Sequence, residues 1–262
     1  MAPALRAPAP AHVQALLFAS RHAVSGERAD LGELLHSSAY VNGKRWAGRR
    51  ALVVGAGNSG AEIALDLAEH GARADLCVRG RLHVTLRDTL GLPTPLPTIV
   101  LTQLPLPMAD AIARTTLRFT IGNLSRWGIQ APDYGPIRGI VERGRVPLID
   151  VGTLARIKAG DVIVRKAIER FHADGVTFVD GKRVAYDAIV LATGYRSGLE
   201  RLVDQPEELL DARGRALHGG ITPRPGLYLV GYATPATGLL RDIGFSARRV
   251  AEHISQRFMS WS

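Results

Sequence analysis

The stretch Ala51–Leu67, ALVVGAGNSGAEIALDL, joins an apolar run to three glycines and then to a helical pattern without a break. Ala51 to Val54 has the length and β-branched content of a buried parallel strand. Ala61, Ile63, Ala64, Leu65, Leu67 and Ala68 then recur at spacings that give a helix one apolar face. Between the two, Gly55 permits a tight turn, Gly57 lets the backbone come close to a pyrophosphate, and Gly60 allows helix and strand to pack. The unpaired N–H groups and the dipole of the first helical turn would face the phosphates. The pattern is that of a dinucleotide site; an ordinary strand–turn–helix with glycines in its turn is the alternative.

A second strand should end about 20 residues beyond the glycines, where an acidic residue would bind the ribose 2'-hydroxyl of NAD. Ala74 to Val78 fits that strand, and Arg79-Gly80-Arg81 follows it. A guanidinium at Arg79 suits a 2'-phosphate through bidentate, charge-assisted hydrogen bonds, which favours NADP(H) over NAD(H). The alternative is that Arg79 and Arg81 form a solvated basic turn.

With 262 residues and 46% hydrophobic content, the chain can bury one large core or two small ones. Its net charge of +9 would fit an anionic cofactor, a nucleic acid or a membrane surface. The basic residues are dispersed in pairs such as Arg49-Arg50 and Arg248-Arg249, so nucleic acid is not expected as a partner. No apolar stretch reaches the roughly 18 residues of a membrane span, and no membrane partner is expected. The single cysteine, Cys77, excludes an intramolecular disulfide and a redox-active cysteine pair, and a cytoplasmic setting is expected. Cys77 reads as a small buried hydrophobe. The eight histidines show no ligand spacing, so no metal is expected. Met1 to Pro10 is Pro/Ala-rich, is expected to be disordered and lacks the features of a secretion signal.

Prolines at 93, 95, 97, 105 and 107 break the chain before a helix expected over about Ala109 to Trp127, with Ile112, Leu117, Phe119, Ile121 and Leu124 as its core-facing or lid-like side. Beyond a loop-rich stretch, Leu148 to Val151, a short helix around Thr153 to Ala159, and strands at Val162 to Val164, Val176 to Val179 and Ala188 to Ala192 are expected. Asp180-Gly181 reads as a hairpin turn. The last of these strands runs into Thr193-Gly194-Tyr195. A final strand, Leu227 to Val230, is closed by Gly231 and followed by a helix from about Leu239 to Arg257. There a second phosphate or a flavin ring could rest, although a plain strand-to-helix connection would look the same.

Taken together and in order, these blocks resemble the class B flavin-dependent monooxygenases, and most closely their YUCCA-type, indole-3-pyruvate monooxygenase-like branch. GAGNSGAEIALDL is similar to that family's NADPH motif, including Asn58 and Ser59, and CVRGRLHVTLRD to the segment after its second strand. VPLIDVGTLARIKAGDVIV, YDAIVLATGYRS and GLYLVGY resemble later blocks. The identifying motif FxGxxxHxxxY/F falls on Asp30, Gly32, His36 and Tyr40, with Asp30 in place of the aromatic.

The resemblance implies an α/β protein with an NADPH-binding Rossmann-type domain nested in an FAD-binding one. On that reading 1–43 are N-terminus and remnant of the FAD domain, 44–182 bind NAD(P)H, and 183–262 close the FAD domain. The family's own N-terminal GxGxxG unit for FAD has no counterpart here, so the FAD domain is expected to be incomplete. Gly55, Gly57, Asn58, Ser59, Gly60 and Arg79 would hold NADPH, and His36 would organise the interdomain linker. Thr193 and Gly194 would border the cofactors, and Gly231 and Leu239 would meet the flavin. NADPH would reduce FAD, reduced flavin would capture O2, and a C4a-hydroperoxide would oxygenate a small organic substrate. No general acid or base is named by the sequence. Two alternatives follow from the missing unit: a non-catalytic NADP(H)-binding module, or a half-enzyme completed by a partner chain.

Overall fold

The structure, a computed structural model, describes residues 32–89, 91–172, 175–195, 197–211, 214–232 and 238–259. The Pro/Ala-rich N-terminus and Asp30 lie outside the described residues. In chain order the strands are β1 (Glu33–His36), β2 (Arg50–Val54), β3 (Arg73–Cys77), β4 (Val84–Leu86), β5 (Asp88–Thr89), β6 (Leu92–Pro93), β7 (Leu148–Asp150), β8 (Val162–Arg165), β9 (Ile168–His172), β10 (Gly175–Phe178), β11 (Arg183–Val184), β12 (Ala188–Leu191), β13 (Gly220–Ile221) and β14 (Tyr228–Leu229). The helices are α1 (Asn58–Glu69), α2 (Pro95–Leu101), α3 (Leu106–Thr120), α4 (Pro136–Arg143), α5 (Thr153–Ala159) and α6 (Leu239–Met259). They group into two compact units. The first comprises the chain up to Arg87, Ile121–Pro132 and Leu148–Gly194; the second comprises Asp88–Thr120, Asp133–Pro147 and the chain from Tyr195 onward.

The first unit is built on a five-stranded sheet in the order β1-β12-β2-β3-β8, with every neighbouring pair parallel. Strands covered on both faces must be apolar along their length, and Ala51, Leu52 and Val53 are fully buried. One face takes α1, whose buried stripe is Gly60, Ala61, Ile63, Ala64 and Leu67. On the other face Leu52, Cys77, Ile189 and Leu191 pack with Val176, Phe178 and Tyr186, from the antiparallel β9-β10-β11 sheet and the turn after it. The expected Asp180-Gly181 turn is present, with Gly181 at φ +79. It pairs β10 with β11, while β12 leaves for the parallel sheet.

The expected 109–127 helix divides, α3 belonging to the second unit and the residues from Ile121 to the first. α3 ends at Thr120, Gly122 takes φ +80, and Ser125–Trp127 form a separate 3-10 turn. Of the residues expected to face a core, Ile121 and Leu124 are buried but lie beyond α3, while on α3 itself Ile112 and Phe119 are exposed and Ala109, Asp110 and Ala113 are buried. The cause is a cap. Asp110 Oδ1 accepts from the Ile137 and Arg138 N–H groups at 2.9 and 3.1 Å, closing the first turn of α4. Small residues at 109 and 113 let the two helices come close enough for that contact. Leu199, Leu209, Leu210 and Leu229 form a separate cluster, and α6 packs along β13.

Candidate functional site

In open parallel sheets, ligands bind outside the carboxyl ends of the strands. In the first unit the registers place His36 beside Leu191, Leu191 beside Val54, and Val54 beside Cys77, so four strands end level with one another. Gly55 follows β2 at φ +113, a conformation closed to most side chains, and a methyl group there would collide with the Ala192 carbonyl. At Gly60 a methyl group would collide with the Gly55 carbonyl. Gly57 differs from both. Its φ of −85 suits any residue, and an added Cβ would meet nothing within 4 Å among the described residues. Open space therefore lies over Gly57, next to the first turn of α1. Gly57 is also the N-cap and has no side chain to cap that turn, leaving N–H groups available to an anion.

Asn58 and Ser59, the first residues of α1, are exposed. Asn58 Oδ1 accepts from the Ile149 N–H at 2.9 Å, tying β7 to the mouth of the turn. Thr153 fastens the same region from below, its hydroxyl donating to the Ala61 carbonyl at 2.9 Å. Arg79 lies two residues beyond β3 and is exposed, at the end of the neighbouring strand. The loop that carries it is pinned where the Leu82 N–H donates to the Gln130 carbonyl at 3.0 Å.

On the other side of β2, Ala192 donates its N–H to the Val54 carbonyl at 2.9 Å, and Thr193 and Gly194 emerge exposed from β12. His36, at the end of β1, is only 5% exposed. Its Nδ1 lies 2.8 Å from Ser38 Oγ and accepts the Ser38 N–H at 3.2 Å. Burial holds its pKa below the ordinary imidazole value, and a hydrogen bond with the Gly194 backbone partly offsets that effect. The first unit thus gathers His36, Gly55, Gly57, Asn58, Ser59, Gly60, Arg79, Thr193 and Gly194 along one sheet edge. Gly231 and Leu239 belong to the second unit. Gly231 sits at φ +84 against Ile243, and Leu239 begins α6 and is half exposed.

Sequence reasoning missed a buried charged cluster. Asp75, in the middle of β3, is 1% exposed and accepts from Tyr186 Oη at 2.6 Å and Arg165 Nε at 2.7 Å, with Arg50 Nη2 at 3.5 Å. Residues 50, 75 and 165 share a sheet face because Leu52 pairs with Asp75 and Arg165 with Cys77. Burial, and then the Asp75 carboxylate, push the Tyr186 phenol well above its usual range. The available signal was a lone carboxylate inside an otherwise apolar strand. Cys77 is buried, with its pKa pushed up to about 11 chiefly by burial, and it donates to the Lys166 carbonyl at 3.2 Å. That fits the inert thiol expected of it.

Among the described residues no group of three or more His, Cys, Asp or Glu side chains could hold a metal, and no helix is long and apolar enough to cross a membrane.

A model of flavin-binding monooxygenase-like proteins matches residues 12–213. An indole-3-pyruvate monooxygenase, YUCCA8, of Oryza sativa subsp. indica is 37% identical over 242 residues, covering 90% of this chain and 57% of the relative. A probable indole-3-pyruvate monooxygenase, YUCCA9, of Arabidopsis thaliana is 35% identical over 225 residues, covering 81% of this chain and 53% of the relative. The chain therefore spans about half the length of the curated relatives it matches. Among solved structures, a flavin-containing monooxygenase from Stenotrophomonas maltophilia superposes with a TM-score of 0.51 at 20% identity, covering 88% of this chain and 59% of that one. At that identity the likeness is one of fold, an α/β architecture with a parallel, dinucleotide-binding type of sheet.

Proposed function

The chain belongs to the flavin-binding monooxygenase-like family, and from that premise we propose that it carries the NADP(H)-binding domain and part of the FAD-binding domain of an NADPH- and FAD-dependent monooxygenase. The observation that carries this is the turn at Gly55, Gly57 and Gly60. Two of its glycines are required by the protein's own backbone, while the third faces only open space. A pyrophosphate would lie over Gly57 and receive N–H groups from Asn58, Ser59 and Gly60. Asn58 would act partly through Ile149, orienting the rim rather than the phosphate. Arg79 would take the 2'-phosphate, and His36, Thr193 and Gly194 would border the nicotinamide end.

For FAD the residues fit less completely. Among the described residues the three-glycine strand–turn–helix occurs once and is assigned to NADPH; Gly231 and Leu239 offer a strand-to-helix junction without that cradle. When bound, FAD would supply the electron transfer and the oxygen chemistry, and we assign no residue as acid or base. The substrates would be O2 and a small organic molecule, an indole-type keto acid being suggested by the names of the relatives. A nucleotide domain over 44–182 flanked by flavin-domain segments 1–43 and 183–262, and a cytoplasmic setting, belong to the same proposal. The second reading is a non-catalytic NADP(H)-binding module or a half-enzyme completed by a partner chain. It is favoured by the single three-glycine cradle among the described residues.

The visible spectrum of the purified chain, before and after incubation with FAD and removal of excess, tests the proposal. Retained flavin that NADPH bleaches is the result expected of a competent flavin site. A colourless protein that binds NADPH would favour the module or half-enzyme, and a protein that binds neither would overturn both readings. Arg79→Ala is expected to weaken NADPH binding at least tenfold and NADH binding little, in line with loss of a charge-assisted pair. Equal losses would remove Arg79 from its role.

A further inference from the structure

Between β1 and β2 the chain leaves the sheet at His36 and returns at Arg50, passing along α1 as a strap with two 3-10 turns, Ser37–Ala39 and Gly43–Trp46. Its attachment converges on one carboxylate. Asp66 Oδ2 accepts the Tyr40 hydroxyl at 2.6 Å and the Gly43 N–H at 2.7 Å, and Asp66 Oδ1 lies 3.3 Å from His70 Nδ1. Two further contacts make the seat specific. A Cβ on Gly43 would come within 2.9 Å of both the Asp66 carbonyl and the Leu67 Cα, so only glycine lets the strap lie this close to the helix. The Tyr40 ring stacks on Trp46, with centroids 5.4 Å apart and planes 8° from parallel, and Trp46 is 2% exposed.

A carboxylate near the carboxyl end of a helix opposes the helix dipole. The acid at 66 is thus set by the strap it holds and not by the helix it belongs to. Its partners lie 26 and 23 residues away in sequence. Such a tie fixes where the strap begins, and the strap begins at His36.

We infer that Asp66 is a positioning residue, which seats the strap on α1 through Tyr40 and Gly43 and thereby holds His36 at the carboxyl edge of the sheet. The inference rests on the proposed nucleotide site for its functional consequence, but its structural half is testable without any nucleotide.

In protein labelled with nitrogen-15 at histidine, the His36 ring signals are identified by their disappearance in His36→Gln. Asp66→Ala is expected to shift those signals and raise the His36 pKa toward that of free imidazole. Asp66→Asn, which keeps an acceptor oxygen for the Gly43 N–H, should restore most of the wild-type signal. NADPH affinity, followed by tryptophan fluorescence, should fall about fivefold in Asp66→Ala, the scale of one lost hydrogen bond, and recover in Asp66→Asn. If Asp66→Ala does not fold, Tyr40→Phe decides, with a smaller shift of the same sign expected. A folded variant whose His36 signals match the wild type overturns the inference. Wild-type protein that fails to bind NADPH, with the His36 shifts present, would overturn the nucleotide reading and leave the positioning role standing.

Discussion

A single methyl group separates the roles of the glycines that the sequence presents alike. Gly60→Ala drives a side chain into the Gly55 carbonyl, and overpacking of this kind costs about 1–3 kcal/mol. Urea unfolding should show that loss. Gly57→Ala meets nothing in the protein and suits its backbone angle, so stability should stay within about 1 kcal/mol of wild type, the ordinary cost range of an alanine for glycine exchange. NADPH affinity should nevertheless fall at least tenfold, because the methyl group takes the space of a phosphate. Wild-type affinity in Gly57→Ala would remove the pyrophosphate from that turn. His36 supplies a pH dependence. Its folded pKa is held below the ordinary value of about 6.5 by burial. Between those two pKa values the unfolded chain binds the proton and the folded chain does not. The contribution is therefore complete above the unfolded value and is lost as pH falls below it. Wild-type protein should lose stability on acidification from pH 7 to 5 more steeply than His36→Gln, and parallel curves would contradict the placement. The packing roles of Gly55 and Gly60 were legible because they are backbone rules. The tie from Asn58 to Ile149 was not, since it joins residues 91 apart in sequence.

At the level of elements, β3 carries a buried carboxylate into the core of the first unit. Asp75 is held by Tyr186 and Arg165 inside the sheet, and its Oδ1 is buried without a hydrogen bond among the described residues. Removing one partner of a buried ion cluster leaves the others uncompensated, which costs about 3–5 kcal/mol. Asp75→Ala should therefore destabilise more than Tyr186→Phe, which removes one hydrogen bond to a charged group worth about 1.5–3 kcal/mol. Comparable midpoints for the two in urea would show that the charges are not coupled. Periodicity made β2, β3, β8, β12, α1 and α5 visible to within a residue or two, because each hides an apolar face from water. α3 failed that test for a physical reason. Its packing is organised by the Asp110 cap, its large apolar residues at 108, 112 and 119 are exposed, and the expected Ile121 and Leu124 are buried only beyond its end, so the apolar positions do not mark one face of a single helix.

For the molecule as a whole, the parallel sheet and its carboxyl edge could be read from one contiguous stretch. The joining of β1 and β12 to that sheet could not, because parallel pairing between residues 33–36 and 188–191 leaves no local trace. This topology decides where each cofactor should act. If NADPH binds at the level strand ends, amide hydrogen exchange in its presence should slow in the first turn of α1, in the loop carrying Arg79 and around Thr193-Gly194. Slower exchange is the expected mark of a ligand that binds the folded form alone, about 2.7 kcal/mol at a hundredfold excess over the dissociation constant. FAD added without NADPH should instead protect the segment around Gly231 and the start of α6 if the flavin reading holds. Protection by NADPH in the first unit, with none anywhere from FAD, would favour nucleotide binding without a flavin site in this chain. Absence of NADPH protection in the first turn of α1 would overturn the placement of that nucleotide on the Gly55–Gly60 turn.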